Sequence, residues 1–155
     1  MKYFILSITL LFTTACSLKT PFLEPDTFLQ KTLTYTKKGE IYNSLEIKDT
    51  IFATYLNPLG KNISNDDEFV VSIFVDDDFD DDKKAGLHNS DISLTLNGYK
   101  PIMIKELKKD DTLRKLVPFK NEWSHYYLVK FPKTNSAKKE LVLESKLYGA
   151  TSLNF

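Results

Sequence analysis

The seven-residue run Phe69–Val75 (FVVSIFV) constrains the fold of this chain more than any other segment. The odd-numbered positions from 69 to 75 are all large and apolar, so in an extended strand they share one face, while Ser72 lies on the other. Aromatic and β-branched side chains are also favoured in strands. We therefore predict that this run is a core β-strand.

Similar short runs recur along the chain, separated by turn residues. Asn97-Gly98 is a strong signal for a type I′ hairpin turn, because both central residues of that turn need a positive φ. It predicts that Ile92–Leu96 pairs with Tyr99–Leu107, and one or two helical turns are expected at Asp110–Leu116. The other predicted strands are Lys31–Thr36, Ile41–Ile47, Thr50–Leu56, Tyr126–Phe131 and Leu141–Leu147, the last of them extended by Gly149–Phe155.

This succession of strands predicts an all-β fold. The chain has 155 residues, of which 42% are hydrophobic and 13% aromatic, a composition that suits one globular domain. About seven to nine short strands without a long helical period favour an antiparallel sandwich of two sheets. We place this domain at residues 31–155.

The first sixteen residues have the three parts of a secretory signal. Met1-Lys2 is a basic start, Tyr3–Phe12 is an apolar run, and Thr13-Thr14-Ala15 is a stretch of small residues before Cys16. The apolar run is about half as long as the ~20 residues that a membrane-spanning helix needs. Residues 1–15 are therefore predicted to be a signal peptide, cleaved after Ala15.

The segment ending at Cys16 resembles the bacterial lipobox, Leu-Ser/Ala-Ala/Gly-Cys, with Thr13 in place of the usual leucine. The resemblance implies that Cys16 carries a diacylglycerol thioether and an N-acyl chain such as palmitate, and two or three acyl chains anchor a protein firmly. Residues 16–30 would form the tether. Ser17 implies sorting to the outer membrane, by analogy with enteric bacteria, and leaves open whether the domain faces the cell surface or the periplasm.

The segment Asn121–Val129 (NEWSHYYLV) resembles the tyrosine-corner region of immunoglobulin-type sandwiches, with Tyr127 as the corner tyrosine. With the lipobox, the Ala53–Pro58 strand end and the Tyr148–Phe155 terminus, the layout is similar to small immunoglobulin-like lipoproteins of epsilon-class proteobacteria. Those relatives are surface or adhesion-associated proteins. The resemblance implies an immunoglobulin-like domain and brings no catalytic residues with it.

The charge balance argues against nucleic acid as a partner. The whole chain has 21 basic and 21 acidic side chains, and Lys2 is the one charged residue before Cys16, so the cleaved chain would have 20 − 21 = −1. Nucleic-acid binding rests on neutralising phosphates with a basic surface. We expect a membrane partner through the lipid and a protein or host ligand for the domain.

The acidic run Asp76–Asp82 (DDDFDDD) is the most unusual feature of the chain. Clustered carboxylates suit Ca²⁺, but the EF-hand pattern fails because Lys83 stands where glycine is required. The alternative interpretation, which we favour, is a solvated loop that ends a strand and discourages edge pairing. The candidate calcium ligands are Asp76, Asp78, Asp80 and Asp82, and no other cofactor is predicted.

The residue types that perform acid–base catalysis form no recognisable motif. His88 and His125 are the chain's two histidines, and neither lies in a metal-binding spacing. Ser124 and His125 are adjacent, so on a strand they would point to opposite faces rather than form a nucleophile–base pair. The sequence therefore predicts a protein without catalytic residues.

Three aromatic residues, Trp123, Tyr126 and Tyr127, have two interpretations. Tryptophan and tyrosine are enriched at binding hot spots, but in a small domain they more often belong to the core, which is the interpretation we favour. Our leading functional hypothesis is a non-catalytic binding domain on the outer membrane, acting in adhesion or protein–protein contact. The alternative is a periplasm-facing structural lipoprotein that docks an envelope or secretion assembly.

Overall fold

A computed structural model describes residues 27–76 and 85–155. The predicted signal peptide with Ala15, the lipidation site Cys16 and the candidate calcium ligands Asp78, Asp80 and Asp82 lie outside these residues. Within the described part of the chain, no helix combines the length and apolar character needed to cross a bilayer. The elements are α1 (Thr27–Thr34), β1 (Thr36–Asn43), β2 (Glu46–Tyr55), β3 (Asp67–Val75), β4 (Ile92–Leu96), β5 (Met103–Glu106), β6 (His125–Phe131), β7 (Glu140–Ser145) and β8 (Gly149–Asn154).

The eight strands form two antiparallel sheets, which confirms the predicted all-β sandwich. One sheet has the order β1-β2-β3-β6-β5 and the other β4-β7-β8. Strands β2 to β8 follow the ABED and CFG order of a constant-type immunoglobulin sandwich, and β1 is added at an edge. The strand order therefore agrees with the immunoglobulin-like architecture expected from the sequence.

Strand β3, at the centre of the five-stranded sheet, is buried on both faces. The odd-numbered residues of β3 pack between the two sheets, as predicted, against Leu141 and Leu143 of β7. On the opposite face Val70 and Leu128 pack beneath Leu116, which belongs to the short 3₁₀ helix Thr112–Leu116. That helix confirms the predicted helical turns, and its cover explains why β3 is apolar along nearly its whole length.

The prediction that Lys31–Thr36 forms the first strand is wrong. Helix α1 includes residues 31–34, and β1 begins at Thr36. The hydroxyl groups of Thr32 and Thr34 each donate to the carbonyl oxygen four residues earlier, at 2.8 and 3.1 Å, so the threonines that favour a strand are accommodated within a helix. The predicted boundary between tether and domain, at residue 31, therefore falls inside α1.

The second predicted strand, Ile41–Ile47, spans a turn. Residues 44 and 45 connect β1 to β2, and Ser44 has a φ of 56°. The two flanking strands pair with each other along their length, with an irregularity at Ile41/Tyr42. The prediction was right that an edge strand lies in this region, because β1 is the edge of its sheet.

The turn at Asn97-Gly98 is confirmed, but its predicted pairing is wrong. The two residues have φ values of 49° and 82°, as a type I′ turn requires. After one bridge between Leu96 and Tyr99, the chain crosses to the other sheet, where β5 pairs with β6. Pro101 has no backbone N–H with which to continue the hairpin ladder, and β4 pairs with β7 instead.

The structure does not place Tyr127 at a tyrosine corner. The last predicted strand is in fact a hairpin, β7 and β8, with Gly149 at a φ of 100°. The penultimate strand is therefore β7, whereas Tyr127 lies on β6, in the position of strand E. The Tyr127 hydroxyl donates to the Ala85 carbonyl oxygen at 3.4 Å, 42 residues earlier, although a corner tyrosine bonds to backbone a few residues upstream.

Candidate binding groove

The five-stranded sheet has two ends with different surroundings. We call the end next to α1 the helix end; β2 and β6 finish there and β3 begins, and the Tyr35 carbonyl oxygen accepts from the Tyr55 amide at 2.9 Å. We call the opposite end the groove end; Val75 finishes β3 there and His125 begins β6. Because β3 has nine residues, the two ends are about 30 Å apart.

A groove of about 830 Å³ lies at the groove end. It is lined by the ends of β3, β5 and β6, by Arg114 of the 3₁₀ helix and by the loop before β6. A neighbouring cavity of about 400 Å³ shares Arg114, Glu122 and Tyr126 with it. The two concavities therefore adjoin each other, and a concave surface is the usual shape of a ligand site.

Trp123 stands at this groove with 72% of its surface exposed. The expectation that it belongs to the core is therefore wrong, whereas Tyr126 and Tyr127 are buried, as expected. Trp123 precedes β6 in a turn in which the Asn121 side-chain oxygen accepts from the Trp123 amide at 3.0 Å. This turn keeps the indole outside the sheet, so the loop presents the chain's one tryptophan to solvent.

Tyr126 fixes the loop that carries Trp123. Its hydroxyl accepts from the Asn121 amide at 3.0 Å and lies 3.3 Å from the Asn121 carbonyl oxygen. The Arg114 guanidinium lies 4.0 Å from the centroid of the Tyr126 ring, a cation–π contact that joins the 3₁₀ helix to the same tyrosine. A corner tyrosine forms a hydrogen bond from its hydroxyl to backbone a few residues upstream. Tyr126, rather than Tyr127, makes a bond of this kind, to Asn121.

The two histidines meet at one carboxylate on the groove end. Glu106 Oε1 lies 3.3 Å from His125 Nδ1, and Glu106 Oε2 lies 3.9 Å from His88 Nε2. Glu106 pairs with Tyr127 across β5 and β6, which makes His125 its diagonal neighbour on the same face. Sequence reasoning missed Glu106, because this cluster depends on the β5–β6 pairing, and the pattern predicted a different partner for β5.

The Glu106 carboxylate joins the two histidines of this cluster. His88 and His125 face different oxygens of Glu106, and no group of three His, Cys, Asp or Glu side chains among residues 27–76 and 85–155 is arranged to hold a metal ion. The groove end therefore combines an exposed indole, a guanidinium and a carboxylate in contact with two histidines.

Asp76 is the one candidate calcium ligand within the described residues. Its Oδ2 atom pairs with Lys48 Nζ at 2.8 Å, and its amide donates to the Lys48 carbonyl oxygen at 2.8 Å. The hydrogen bonds from Lys48 to Asp76 and to Glu46 raise the pKa of that lysine. Asp76, the residue after β3, thus forms an ion pair with Lys48 of β2. The calcium site remains a prediction.

The helix end has a buried polar network around Asp67. This carboxylate accepts from the Tyr55 hydroxyl at 2.6 Å, from Lys139 Nζ at 2.9 Å and from the Thr134 amide at 3.0 Å. Burial alone would raise the pKa of Asp67, but the hydrogen bonds from Lys139, Tyr55 and Thr134 outweigh it and lower the pKa. Asp67 therefore stays ionised and ties the loop after β6 to the core.

Glu68 has the same role for the loop before β3. Its fully buried carboxylate accepts from the Ile63 amide at 2.7 Å and from the Ser64 amide at 2.8 Å, and Lys130 Nζ lies 3.0 Å away. Burial would raise the pKa of Glu68, but the hydrogen bonds of Ser64, Ile63 and Lys130 lower it. In both networks the buried carboxylate is thus occupied by donors from the fold.

Comparison with protein-family models, with curated proteins and with solved structures finds no match to this chain. The groove end, with its exposed indole and its charged side chains, is the surface from which a function can be inferred.

Proposed function

We propose that this protein is an outer-membrane lipoprotein, anchored through lipid on Cys16, whose β-sandwich is a non-catalytic domain that binds a protein ligand at the groove end. The main support for this proposal is the exposure of Trp123, whose side chain is 72% exposed on a loop that Tyr126 holds by a hydrogen bond. A large aromatic side chain that is held rigidly loses little conformational entropy on binding, which is why tryptophan is enriched at interface hot spots.

The groove lies at the end of the five-stranded sheet opposite α1. Helix α1 is the first described element after the segment that contains Cys16, and it lies at the helix end. Trp123 and His125 lie at the other end of β3, about 30 Å away. When α1 is the part of the domain nearest the bilayer, the groove lies about 30 Å farther out, where a large ligand can reach it.

The charges around Trp123 suit a polar protein surface. Arg114, Lys108 and Lys109 supply positive charge to the groove, while Glu106 and Glu122 supply negative charge. Protein interfaces combine an aromatic anchor with a rim of polar and charged groups. A ligand with an apolar patch flanked by charges of both signs would fit, either an adhesion partner at the cell surface or a component of the envelope.

The direct test is site-specific photocrosslinking in cells of the native host. A photoreactive residue at Glu122 should give a discrete crosslinked partner, and Trp123→Ala should abolish the product. Tyr99→Ala, which removes a 55% exposed aromatic side chain near the Asn97-Gly98 turn, is the matched control and should leave the product intact. A product that survives Trp123→Ala, or that is lost equally in Tyr99→Ala, contradicts the proposed binding surface.

Protease treatment of intact cells distinguishes a groove at the cell surface from one in the periplasm. Loss of the protein, with a periplasmic marker intact, supports a ligand outside the cell, and full protection supports docking to an envelope or secretion assembly. Cys16→Ala tests the anchor in the same cells: we expect the variant to leave the membrane fraction. Unchanged processing and fractionation of Cys16→Ala would refute the lipoprotein part of the proposal.

A further inference from the structure

Helix α1 leaves large apolar side chains at the surface of the helix end. Phe28, Leu29 and Leu33 are each 42–45% exposed, although Thr32, which lies between them around the helix, is buried. Leu29 and Leu33 are one turn apart and form a ridge along one side of α1. The apolar groups of α1 therefore extend beyond its contact with the sandwich.

Two lysines lie beside this apolar surface. Lys31 lies on α1, and Lys61 Nζ lies 5.5 Å from the centroid of the Phe28 ring. The loops that border the helix end, residues 57–66 and 132–138, contain Lys61, Lys133 and Lys138 against the single carboxylate of Asp66. Apolar side chains next to lysines are the pattern of a helix that lies in the interface of an anionic membrane.

The preceding chain brings a bilayer within reach of this surface. Thr27 follows Cys16 by 27 − 16 = 11 residues, which span at most about 40 Å when fully extended. If Cys16 is lipidated, α1 cannot lie farther than this from the headgroups, and the cost of bringing it to them is small because it is already tethered. This step rests on the anchor in the proposed function.

We propose that the helix end rests on the surface of a bilayer containing anionic phospholipid. Phe28, Leu29 and Leu33 enter the interface, Lys31 and Lys61 meet the headgroups, and the sandwich stands with the groove end outward. The lipid anchor supplies attachment, while this contact supplies orientation. The groove is then held at a fixed height instead of sampling every direction on a flexible tether.

Fluorescence quenching by brominated lipid tests this orientation, because Trp123 is a native probe of the groove end. The full chain is reconstituted into phosphatidylcholine vesicles with or without phosphatidylglycerol. Trp123 should remain unquenched. Phe28→Trp and Leu33→Trp, each combined with Trp123→Phe, should be quenched in the anionic vesicles, and Leu147→Trp with Trp123→Phe is the control at an exposed site of the groove end.

The charge requirement is tested by Lys31→Gln and Lys61→Gln in the Phe28→Trp, Trp123→Phe background. Each lysine lost should lower the ratio of docked to undocked domain by about fivefold in anionic vesicles. Equal quenching at positions 28, 123 and 147, or none at 28 and 33, would overturn the proposal. Quenching compares tryptophans at different positions and therefore tests the surface contact, whereas fractionation of Cys16→Ala tests the lipid anchor. Failure of the anchor and failure of the contact therefore give different results.

Discussion

The two ends of the five-stranded sheet contain the same kinds of ionic group in opposite settings. At the helix end Asp67 and Glu68 are buried, and several donors surround each of them. At the groove end Glu106 is half exposed and contacts its two histidines at 3.3 and 3.9 Å. The comparison teaches that the surroundings decide the role: a buried, saturated carboxylate stabilises the fold, and an exposed one is available to a ligand.

The largest effect is expected when a buried charge loses its partner. Lys139→Met removes the cation that lies 2.9 Å from Asp67 and leaves that carboxylate buried. Breaking a buried ion pair on one side costs about 3–5 kcal/mol. Urea unfolding followed by circular dichroism should show this loss in the free energy of unfolding.

Lys146→Met is the matched control. It removes an exposed lysine whose Nζ lies 3.1 Å from Asp91, at the other end of the sandwich. An exposed pair of this kind contributes about 0–1 kcal/mol. Similar losses in the two variants would mean that burial does not distinguish the ends, and the comparison would fail.

Acid should remove the stabilisation that the buried carboxylates of the helix end supply. The folded pKa values of Asp67 and Glu68 lie below their ordinary values of 3.8 and 4.5, so the folded state binds fewer protons than the unfolded state. Their stabilisation is complete above about pH 4.5 and is lost as the pH falls through the folded pKa values.

The free energy of unfolding, measured in urea from neutral pH downward, should therefore decline in this acid window. The double variant Asp67→Asn, Lys139→Met removes one of the two contributions and should decline less steeply. If the free energy of unfolding of this variant falls with pH as steeply as that of the wild type, Asp67 does not contribute to the acid sensitivity as predicted.

Local patterns predicted most of the strands but not their partners. The alternation in Phe69–Val75 and the positive φ at Asn97-Gly98 arise from neighbouring residues, so the sequence displays them directly. The crossing of the chain to β5, by contrast, depends on competition among strands far apart in sequence. Helix α1 was missed because threonine favours strands by propensity, whereas here its hydroxyls bond within a helix.

The candidate site was predictable only in part. Trp123, His88 and His125 could be named as residues of interest, but their exposure and their approach to Glu106 require the tertiary structure. Trp123 was assigned to the core on the general behaviour of aromatic residues. Nothing in the local sequence states that the Asn121 turn keeps this indole outside the sheet.

Gly86→Ala should disturb the groove end at intermediate cost. Gly86 has a φ of 57°, and a β-carbon there would come within 2.5 Å of the Tyr127 hydroxyl oxygen and 3.1 Å of the His125 β-carbon. Strain and overpacking of this kind cost about 1–3 kcal/mol. Thermal unfolding should show the loss, and the NMR chemical shifts of the His88 and His125 imidazoles should change, because the side chains packed around them are displaced.

Gly98→Ala controls for backbone strain alone. Gly98 also has a positive φ, 82°, but open space surrounds its α-carbon on the side-chain side. It should lose stability through the turn while the chemical shifts of both imidazoles stay as in the wild type. Altered imidazole shifts in Gly98→Ala, or unaltered ones in Gly86→Ala, would show that the packing around Gly86 does not position the histidine cluster.

The smallest change in stability is expected at the residue that matters most for binding. Trp123 is 72% exposed, so Trp123→Ala should shift the free energy of unfolding by no more than about 0.5 kcal/mol. Tyr126→Phe should cost about 1 kcal/mol, because it removes the hydroxyl that holds the Asn121 backbone. Both variants should weaken the crosslinked complex, the first by removing the anchor and the second by loosening its loop. A large loss of stability in Trp123→Ala would instead show that the indole stabilises the fold, and it would contradict a binding role for the groove end.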